Sequence, residues 1–434
     1  MRRLMIGLAL SIASPSFAVL AEAPDQPADT TLPGESREDL QTLAVDVRVP
    51  WSASVLTRAG QEGNILAAMS HAEDYFELWR IGGDRTAQLL EKHEDVGYHP
   101  DAIYWTSWRD NDGEEPVLLL VVEGEREIQL WRWREQQLEL DVALPTRHPP
   151  RDVGIGDLNG DGLTDLVVGT YDEDPVQVLI SRGDFTFYTM QLAVRGVALH
   201  PRLVDWDTDG DMDIVWSGYK GGLVQVALQD DKAMAASIEA VQADNANAAA
   251  PTGNETDGDA EQSGAIPSSI FEIQTLWPAD TESSDIRPRM VAVTELDGDG
   301  APDLVVPTEV GGGAQILYND GEGKIALTEQ IPSQNTGFTW AAVDGRGEAA
   351  MLALGSFEGV TLVRRENDTW TRRLLAMEDM PLMLDIQFVD VDADGHQDLV
   401  FAVINRHQVR VVFGPLWERA TPLNDSLASS PDKT

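Results

Sequence analysis

Short apolar runs recur along the chain, and each follows a turn that contains glycine. Examples are residues 117–122, 166–168 and 304–306. Runs this short, bounded by glycine and aspartate, are typical of buried β-strands, because a helix needs about ten or more residues. Further β-prone runs follow each of them, and the last alternates polar and apolar residues, as at residues 185–190. The pattern predicts units of four antiparallel strands.

The turn glycines recur at a nearly constant spacing. They are Gly63, Gly113, Gly162, Gly210, Gly300, Gly347 and Gly395. Neighbouring glycines are 47–50 residues apart, except for one gap of 90 residues that indicates an insertion. Residues 231–269 are rich in Ala, Asn, Asp, Gly and Ser, and we expect a disordered surface loop there. Seven copies between residues 41 and 420 predict an all-β fold, a seven-bladed β-propeller of four-stranded antiparallel blades.

A β-prone segment near the N-terminus bears on how such a ring would close. Residues 44–49 read Ala-Val-Asp-Val-Arg-Val and would complete the last blade, which joins the two ends of the propeller. Closure removes the exposed sheet edges that an open array leaves. A linear solenoid is the alternative architecture.

Four of the seven turns carry oxygen-bearing side chains at positions 1, 3, 5 and 9, with the turn glycine at position 6. We call them loop 3 (residues 157–165), loop 4 (205–213), loop 5 (295–303) and loop 7 (390–398), after the copy that contains them. The side chains are those of Asp157, Asn159, Asp161 and Asp165; Asp205, Asp207, Asp209 and Asp213; Glu295, Asp297, Asp299 and Asp303; and Asp390, Asp392, Asp394 and Asp398.

This spacing predicts calcium sites. Oxygen ligands at positions 1, 3 and 5 before a glycine form the first half of an EF-hand loop, but here the last carboxylate stands at position 9 and the loop lies between strands. So many like charges are costly without a cation, and an all-oxygen ligand set suits Ca²⁺ better than Mg²⁺. We expect about four ions, with the position-7 carbonyls completing the shells. Asp/Gly turns without metal are the alternative.

The turns of the other three copies depart from the pattern, and we expect no metal ion in them. Trp108 and Pro116 replace the first and last ligands of the second copy. Arg346 stands at position 5 of the sixth copy, where its guanidinium would replace part of the charge of an ion. Arg58 and Gly60 leave the first copy without a ligand set.

The acidic loops, each followed by Leu-Val-Val or a similar run, resemble the FG-GAP or VCBS-type repeat over nearly all of the chain after residue 40. The resemblance implies the seven-bladed propeller that forms the head of integrin alpha subunits, and a binding, adhesion or scaffold role. Related propellers occur in polysaccharide lyases and sugar dehydratases. An enzyme that acts on a polysaccharide or a sugar acid at the channel mouth is therefore the alternative, and no residue is assigned a catalytic role.

Charge and composition narrow the partners and the location. The chain has 74 acidic and 31 basic residues, a net charge of −43, so we expect no nucleic acid partner. It has no cysteine, which excludes disulfides and thiolate metal sites. Residues 1–18 predict a signal peptide, with an alternative cleavage site as late as residue 23, and hence a periplasmic or extracellular protein without a membrane span. Residues 19–40 and 421–434 are expected to be a flexible leader and tail.

Basic residues before the innermost strands are candidate ligand contacts. His99, His148, Arg287 and Arg289 would gather at the channel mouth opposite the acidic loops and contact a protein or carbohydrate partner. The alternative is that they belong to turns in which proline fixes the entry of a strand. His200 is offset by several residues and is not expected to join them. Arg182-Gly-Asp184 spells an integrin-binding tripeptide, but its position predicts an ordinary hairpin turn.

Overall fold

The computed structural model describes most of the chain after residue 41. The described residues are 42–57, 63–134, 137–171, 175–218, 222–247, 268–277, 287–309, 313–332, 338–366, 369–377, 379 and 381–423. The predicted signal peptide, the leader, residues 248–267 of the insertion and residues 424–434 of the tail lie outside them.

Antiparallel sheets follow one another along the chain, and we number them blades 1 to 7. Blade 1 contains β2 (Pro50–Leu56), β3 (Asn64–Ser70), β4 (Tyr75–Ile81) and β5 (Ala87–Glu94), and blade 2 contains β6 (Pro100–Asp110), β7 (Gly113–Val122), β8 (Glu127–Arg134) and β9 (Gln137–Pro145). Blade 3 contains β10 (Pro150–Gly156), β11 (Asp165–Thr170), β12 (Val176–Ser181) and β13 (Phe187–Leu192), and blade 4 contains β14 (Leu199–Val204), β15 (Asp213–Gly218), β16 (Leu223–Gln229) and β17 (Phe271–Trp277). Blade 5 contains β18 (Ala292–Thr294), β19 (Asp303–Thr308), β20 (Gly313–Asn319) and β21 (Ile325–Ile331), and blade 6 contains β22 (Trp340–Asp344), β23 (Met351–Ser356), β24 (Gly359–Glu366) and β25 (Thr369–Ala376).

Blade 7 combines strands from both ends of the propeller. It contains β26 (Met383–Val389), β27 (Asp398–Val403), β28 (Gln408–Val412) and β1 (Thr42–Asp46). β1 pairs with β28 in antiparallel register, with Thr42 opposite Val412. The predicted closing strand is confirmed, although its paired residues start and end earlier than residues 44–49.

Buried apolar side chains form a cluster at each boundary between neighbouring blades, seven in the described residues. One cluster packs Ala53 and Leu66 of blade 1 against Val400 and Val411 of blade 7. Each fully buried valine or leucine contributes about 1.5–3 kcal/mol. Seven blades in an open row would have only six boundaries, so the sheets form a closed ring and the linear solenoid is excluded.

Stacking of the blades explains the pattern of the sequence. The middle strands, such as β11 and β12, are buried along their whole length because a neighbouring blade covers each face. Such strands are therefore mostly apolar on both faces. An outermost strand such as β21 has one exposed face, and its residues alternate between half-buried and exposed.

The first part of the insertion is not the disordered loop that the sequence predicts. It forms a helix, α1 (Asp231–Asn247). The helix is rich in alanine, the strongest helix former. The side chain of Asp230 accepts a hydrogen bond from the N–H of Ala233 at 3.0 Å and so caps its first turn. Met234 is buried in the cluster between blades 3 and 4, which fixes the helix to the ring.

Short elements complete the described structure. A second helix, α2 (Leu416–Arg419), follows blade 7, and β29 (Thr421–Pro422) pairs with β25, so the predicted tail begins with a paired strand. Single 3-10 turns occupy Ser268–Ile270, Gly347–Ala349 and Ile404–Arg406. None of the helices in the described part of the chain has the length and apolar character needed to cross a lipid bilayer.

Candidate metal loops and the central channel

The four acidic loops occupy equivalent places in their blades. Each connects the innermost strand of a blade to the second strand, for example β10 to β11 for loop 3 and β26 to β27 for loop 7. The turn glycines adopt left-handed backbone conformations, with φ of +104° at Gly210 and +88° at Gly395. A Cβ atom there would meet nothing within 4 Å, so the backbone conformation alone requires glycine.

The position-9 aspartates make the same two backbone contacts in all four loops. They are the first residues of their strands and are fully buried. One carboxylate oxygen accepts the N–H of position 2 at 2.7–2.8 Å, and the other accepts the N–H of a residue sixteen positions later at 2.7–3.0 Å. We call this arrangement the aspartate clamp. The residues that the clamps bind are Leu158 and Ser181, Trp206 and Gln229, Leu296 and Asn319, and Val391 and Gly414.

Burial raises the pKa of the clamp aspartates, to about 7 at Asp165, Asp213 and Asp303 and to about 6 at Asp398. The backbone donors lower these pKa values, and the other carboxylates of each loop raise them again. The loops therefore concentrate negative charge within a few ångströms.

Three of the loops bring carboxylates together closely enough for one cation. One oxygen from each of three residues lies within 4.8 Å of the others in the following groups: Asp205, Asp207 and Asp213; Glu295, Asp297 and Asp299; and Asp390, Asp392 and Asp398. Oδ1 of Asp157, Asp205 and Asp207 is buried without a hydrogen-bond partner among the described residues. Buried oxygens in this state cost free energy, and a bound cation would satisfy them.

Loop 3 carries an amide in place of one carboxylate and lies beside a cavity. Nδ2 of Asn159 donates to Oδ2 of Asp161 at 3.0 Å. The cavity has a volume of about 600 Å³ and is lined by Asn159, Asp161, Arg182, Tyr188 and two residues of α1. Arg182-Gly-Asp184 forms the turn between β12 and β13, as expected, and Oδ1 of Asp184 accepts the N–H of Thr186 at 3.2 Å.

Loop 7 has a cation that the sequence analysis missed. Arg85 lies in the turn between β4 and β5 of blade 1, which packs against blade 7. Its Nε lies 2.7 Å from Oδ2 of Asp392, its Nη2 lies 3.1 Å from Oδ2 of Asp394, and its guanidinium stacks over Phe413. Since 307 residues separate Arg85 from Asp392, only closure of the ring brings them together.

An arginine also neutralises the turn of blade 2. Arg132 is buried, its Nη2 lies 2.7 Å from Oδ2 of Asp110, and its Nη1 lies 2.9 Å from Oε1 of Glu115. The guanidinium stacks over Phe185, which belongs to the β12–β13 turn of the next blade. An ion pair inside the protein thus takes the place that a metal ion would take in an intact loop.

Equivalent hairpin residues face three of these turns. In the hairpins 82–86, 182–186 and 320–324, the N–H of the first residue donates to the carbonyl oxygen of the fifth at 2.9–3.0 Å. The fourth residue of each hairpin is left-handed: Arg85, Phe185 and Gly323 have φ of +61°, +58° and +83°. Arg85 meets loop 7 and Phe185 meets Arg132. A Cβ atom on Gly323 would lie 3.2 Å from the side chain of Asp207 in loop 4.

A second polar cluster lies where the innermost strands of the ring meet. Asp152 of β10 is fully buried and accepts hydrogen bonds from the hydroxyl of Tyr104 on β6 and from Nδ1 of His200 on β14. Nη1 of Arg202, also on β14, lies 3.3 Å from the same oxygen that His200 contacts, Oδ2. The offset of His200 places it beside Asp152 rather than at the channel mouth.

Other innermost strands complete this cluster. Oδ2 of Asp385 on β26 accepts hydrogen bonds from Oγ of Ser52 at 2.6 Å and from the N–H of Ala53 at 3.0 Å. Burial, with Asp152 nearby, raises the pKa of Asp385 to about 6, although these hydrogen bonds lower it. Trp340 on β22 packs edge-on against His200, with ring centroids 4.8 Å apart. Among the described residues, side chains from six of the seven blades thus contribute to this cluster.

The four residues predicted for the channel mouth lie in local contacts of their own. The ring of His99 packs at a tilt against that of His71, with ring centroids 4.6 Å apart, and its Nδ1 lies 3.7 Å from a carboxylate oxygen of Glu123. Arg289 pairs with Glu309, and the carbonyl oxygen of Arg287 accepts the N–H of Glu309. His148 is half-buried in the turn before β10. A joint ligand site formed by these four residues stays a prediction.

Comparisons with known proteins give a family match for part of the chain and distant structural neighbours. Residues 157–216, which include loops 3 and 4, match the family described as FG-GAP-like repeat. No curated protein matches the chain. A crystal structure of a protein from Lactobacillus plantarum is 15% identical, covers 75% of this chain and 83% of its own, and has a TM-score of 0.48. A crystal structure of BBS1N in complex with ARL6DN is 12% identical, covers 86% and 94%, and has a TM-score of 0.47. Since both scores are below 0.5, no conclusion is drawn from either. Residues 157–216 thus match an FG-GAP-like repeat, and they lie within a ring of seven antiparallel blades, the propeller that the sequence predicts.

Proposed function

We propose that this protein is an exported, calcium-stabilised propeller that serves as a binding, adhesion or scaffold module. The observation that carries the proposal is the set of buried carboxylate oxygens without partners in loops 3 and 4. Calcium accepts six to eight oxygen ligands in flexible geometry, and each acidic loop offers side-chain oxygens from four residues. In this role the ion is structural, because it joins the two inner strands of a blade.

The loops differ in how well they suit an ion. Loops 4 and 5 gather three carboxylates each and are the strongest candidates. Loop 3 supplies the side-chain oxygen of Asn159 in place of one carboxylate. Loop 7 also gathers three carboxylates, but Arg85 already contacts Asp392 and Asp394, so we expect calcium there to bind more weakly. This gives three well-formed sites and a fourth in which arginine competes.

The sequence supports export. Residues 1–18 have the charged start, the short apolar stretch and the small residues of a signal peptide. A chain without cysteine must gain its stability from packing and ions rather than from disulfides. We place the flexible leader at residues 19–40 and the propeller at 41–420, in the periplasm or outside the cell.

Thermal unfolding with and without calcium tests the proposal. The mature chain is melted in EDTA and then in graded calcium, and bound metal is counted by mass spectrometry. At 100 times the dissociation constant, each site adds about 2.7 kcal/mol to the free energy of unfolding. We expect a large rise in the melting temperature with three to four ions bound. Equal melting temperatures in EDTA and in calcium, with no metal retained, would contradict the proposal. Magnesium at the same concentration is the control.

The central cluster favours a second candidate, an enzyme that acts on an acidic sugar. The observation is the convergence of Tyr104, Asp152 and His200 at the ring centre. The test is release of reducing ends from an acidic polysaccharide by the native protein and by His200→Gln. Release that the variant abolishes would support this candidate, and no release by the native protein would contradict it.

A further inference from the structure

The ring centre holds polar side chains that are only partly covered by protein. His200 and Arg202 lie on β14, the innermost strand of blade 4. Their side chains nevertheless keep 14% and 29% of their surface exposed, whereas Asp152 between them keeps none. Propellers have a channel along the axis that the innermost strands surround. The exposed parts of these two side chains therefore face that channel.

The contact with Asp152 determines which ring nitrogen of His200 is left to face the channel. Nδ1 of His200 contacts Oδ2 of Asp152, and an ionised carboxylate only accepts hydrogen bonds, so Nδ1 carries the proton. Burial lowers the pKa of His200, which keeps the ring neutral, although Asp152 raises this pKa. In the neutral ring the other nitrogen, Nε2, is an acceptor. Nε2 has no hydrogen-bond partner in the part of the chain that the structure describes. It can accept a hydrogen bond from a hydroxyl group.

Arg202 offers a complementary donor next to it. Its Nη1 contacts Oδ2 of Asp152 at 3.3 Å and the carbonyl oxygen of Pro201 at 2.8 Å. The Nε and Nη2 donors have no partner among the described residues. A guanidinium with two free donors binds a carboxylate in a bidentate manner. Since Arg202 and His200 contact the same oxygen of Asp152, the free donors and the free acceptor belong to adjacent side chains.

The surrounding groups hold this pair in place. Tyr104 donates to the other oxygen of Asp152, so this carboxylate is fully engaged and does not compete for an incoming hydroxyl. Asp385 is likewise satisfied by Ser52 and by the N–H of Ala53. Trp340 packs against the imidazole and limits its rotation. The cluster is therefore organised before any ligand arrives, which lowers the cost of binding.

We infer that the ring centre binds a small hydroxy acid or the acidic sugar unit of a glycan. The ligand carboxylate contacts Nε and Nη2 of Arg202, and a ligand hydroxyl donates to Nε2 of His200. This deepens the proposed binding role by naming the ligand class, and it does not require calcium in the loops.

Calorimetric titration of the full mature chain tests the inference, with D-glucuronate and L-lactate as probes. Acetate lacks the hydroxyl and D-glucose lacks the carboxylate, so we expect both to bind at least tenfold more weakly than D-glucuronate. We expect Arg202→Gln and His200→Gln each to lower the affinity for D-glucuronate at least tenfold. Arg134→Gln, on an outer strand, is the matched control and should bind as the native protein does. Thermal melts verify that each variant is folded.

Histidine NMR supplies a readout that a purely structural role would not move. In protein labelled with ¹⁵N-histidine, the Nε2 signal of His200 is identified because it is absent from the spectrum of His200→Gln. Addition of D-glucuronate should shift this signal and leave the signals of the other imidazoles unchanged. Absence of saturable binding by either probe overturns the inference, as does equal binding of D-glucose or acetate. Loss of binding in His99→Gln with normal binding in His200→Gln would place the ligand at the channel mouth and also overturn it. Failure here leaves the calcium-dependent melt unaffected, so the two proposals fail separately.

Discussion

Loops 4 and 7 share one motif but differ in whether a cation of the chain contacts their carboxylates. Both have acidic residues at positions 1, 3, 5 and 9, a left-handed glycine and the aspartate clamp. In loop 4, Oδ1 of Asp205 and of Asp207 is buried without a partner among the described residues. In loop 7, Arg85 contacts the equivalent Asp392. The motif therefore fixes the backbone of the loop, and the next blade decides whether the chain itself supplies a counter-charge.

The difference comes from one hairpin residue. Arg85 of blade 1 and Gly323 of blade 5 occupy the same left-handed position and face position 3 of the preceding loop. Arginine there supplies a cation from the chain, whereas glycine supplies no charge to Asp207. Under the proposed function, ion pairs and calcium are two solutions to the same electrostatic problem in one ring.

Removing the clamp should cause the largest loss of stability, and the loss should be equal in the two loops. Asp213→Ala and Asp398→Ala each leave two buried N–H groups without acceptors, which costs about 4 kcal/mol in total. Urea unfolding in EDTA measures both variants without any contribution from metal. A large difference between the variants would show that the two loops are not built alike.

Removing the position-3 carboxylate should affect stability differently in the two loops, because only the cost in loop 4 should depend on calcium. Asp392→Ala breaks a buried contact with Arg85 and should cost about 3 kcal/mol in EDTA and in calcium alike. Asp207→Ala removes a buried oxygen without a partner, so it should cost nothing in EDTA and should abolish the calcium-dependent gain of loop 4. Melting curves under both conditions measure this. The same calcium dependence in both variants would refute the comparison.

Exchanging the hairpin residues should exchange the behaviour of the loops. Arg85→Gly frees Asp392 and Asp394, so calcium at 100 times its dissociation constant should then add about 2.7 kcal/mol through loop 7. Gly323→Arg should remove one ion from loop 4. Metal counting by mass spectrometry checks both variants, and Arg134→Gln is the control for loss of an arginine. Unchanged ion counts would rule out this role of the hairpin.

The smallest effect should come from the turn glycines. Gly210→Ala and Gly395→Ala introduce a Cβ that meets no atom within 4 Å, so only the left-handed backbone conformation opposes it. This costs about 1 kcal/mol in either loop. Chemical denaturation in EDTA should give the same small shift for both variants, and a larger loss in one of them would indicate a contact that the other lacks.

The fold could be predicted from the sequence because each copy repeats the same local pattern. The regular spacing of the turn glycines predicts seven units, and the structure has seven blades. The segment that includes β1 is predicted to close the last blade, as it does. α1 was missed because an insertion has no counterpart in the other copies to reveal its structure. Its alanines and the cap at Asp230 were nevertheless present in the sequence as a helix signal.

The candidate sites could be predicted only where their residues stand close together in the chain. The acidic loops are contiguous, so their positions follow from spacing. Arg85 and the cluster around His200 assemble through contacts between blades, and a single sequence does not report such contacts. The influence of Arg364 of β24 on Asp344 is another contact between strands that the spacing of the sixth copy does not reveal.

The pairing of β1 with β28 has a consequence for how the protein is made. Thr42 emerges from the ribosome 370 residues before its partner Val412. Until then β1 has no neighbour, and blade 7 is the last that can be completed. An open repeat array can lose units from its ends one at a time, but in this ring every blade has two neighbours. Folding and unfolding should therefore be cooperative across the whole propeller, with the first-made strand among the last to settle.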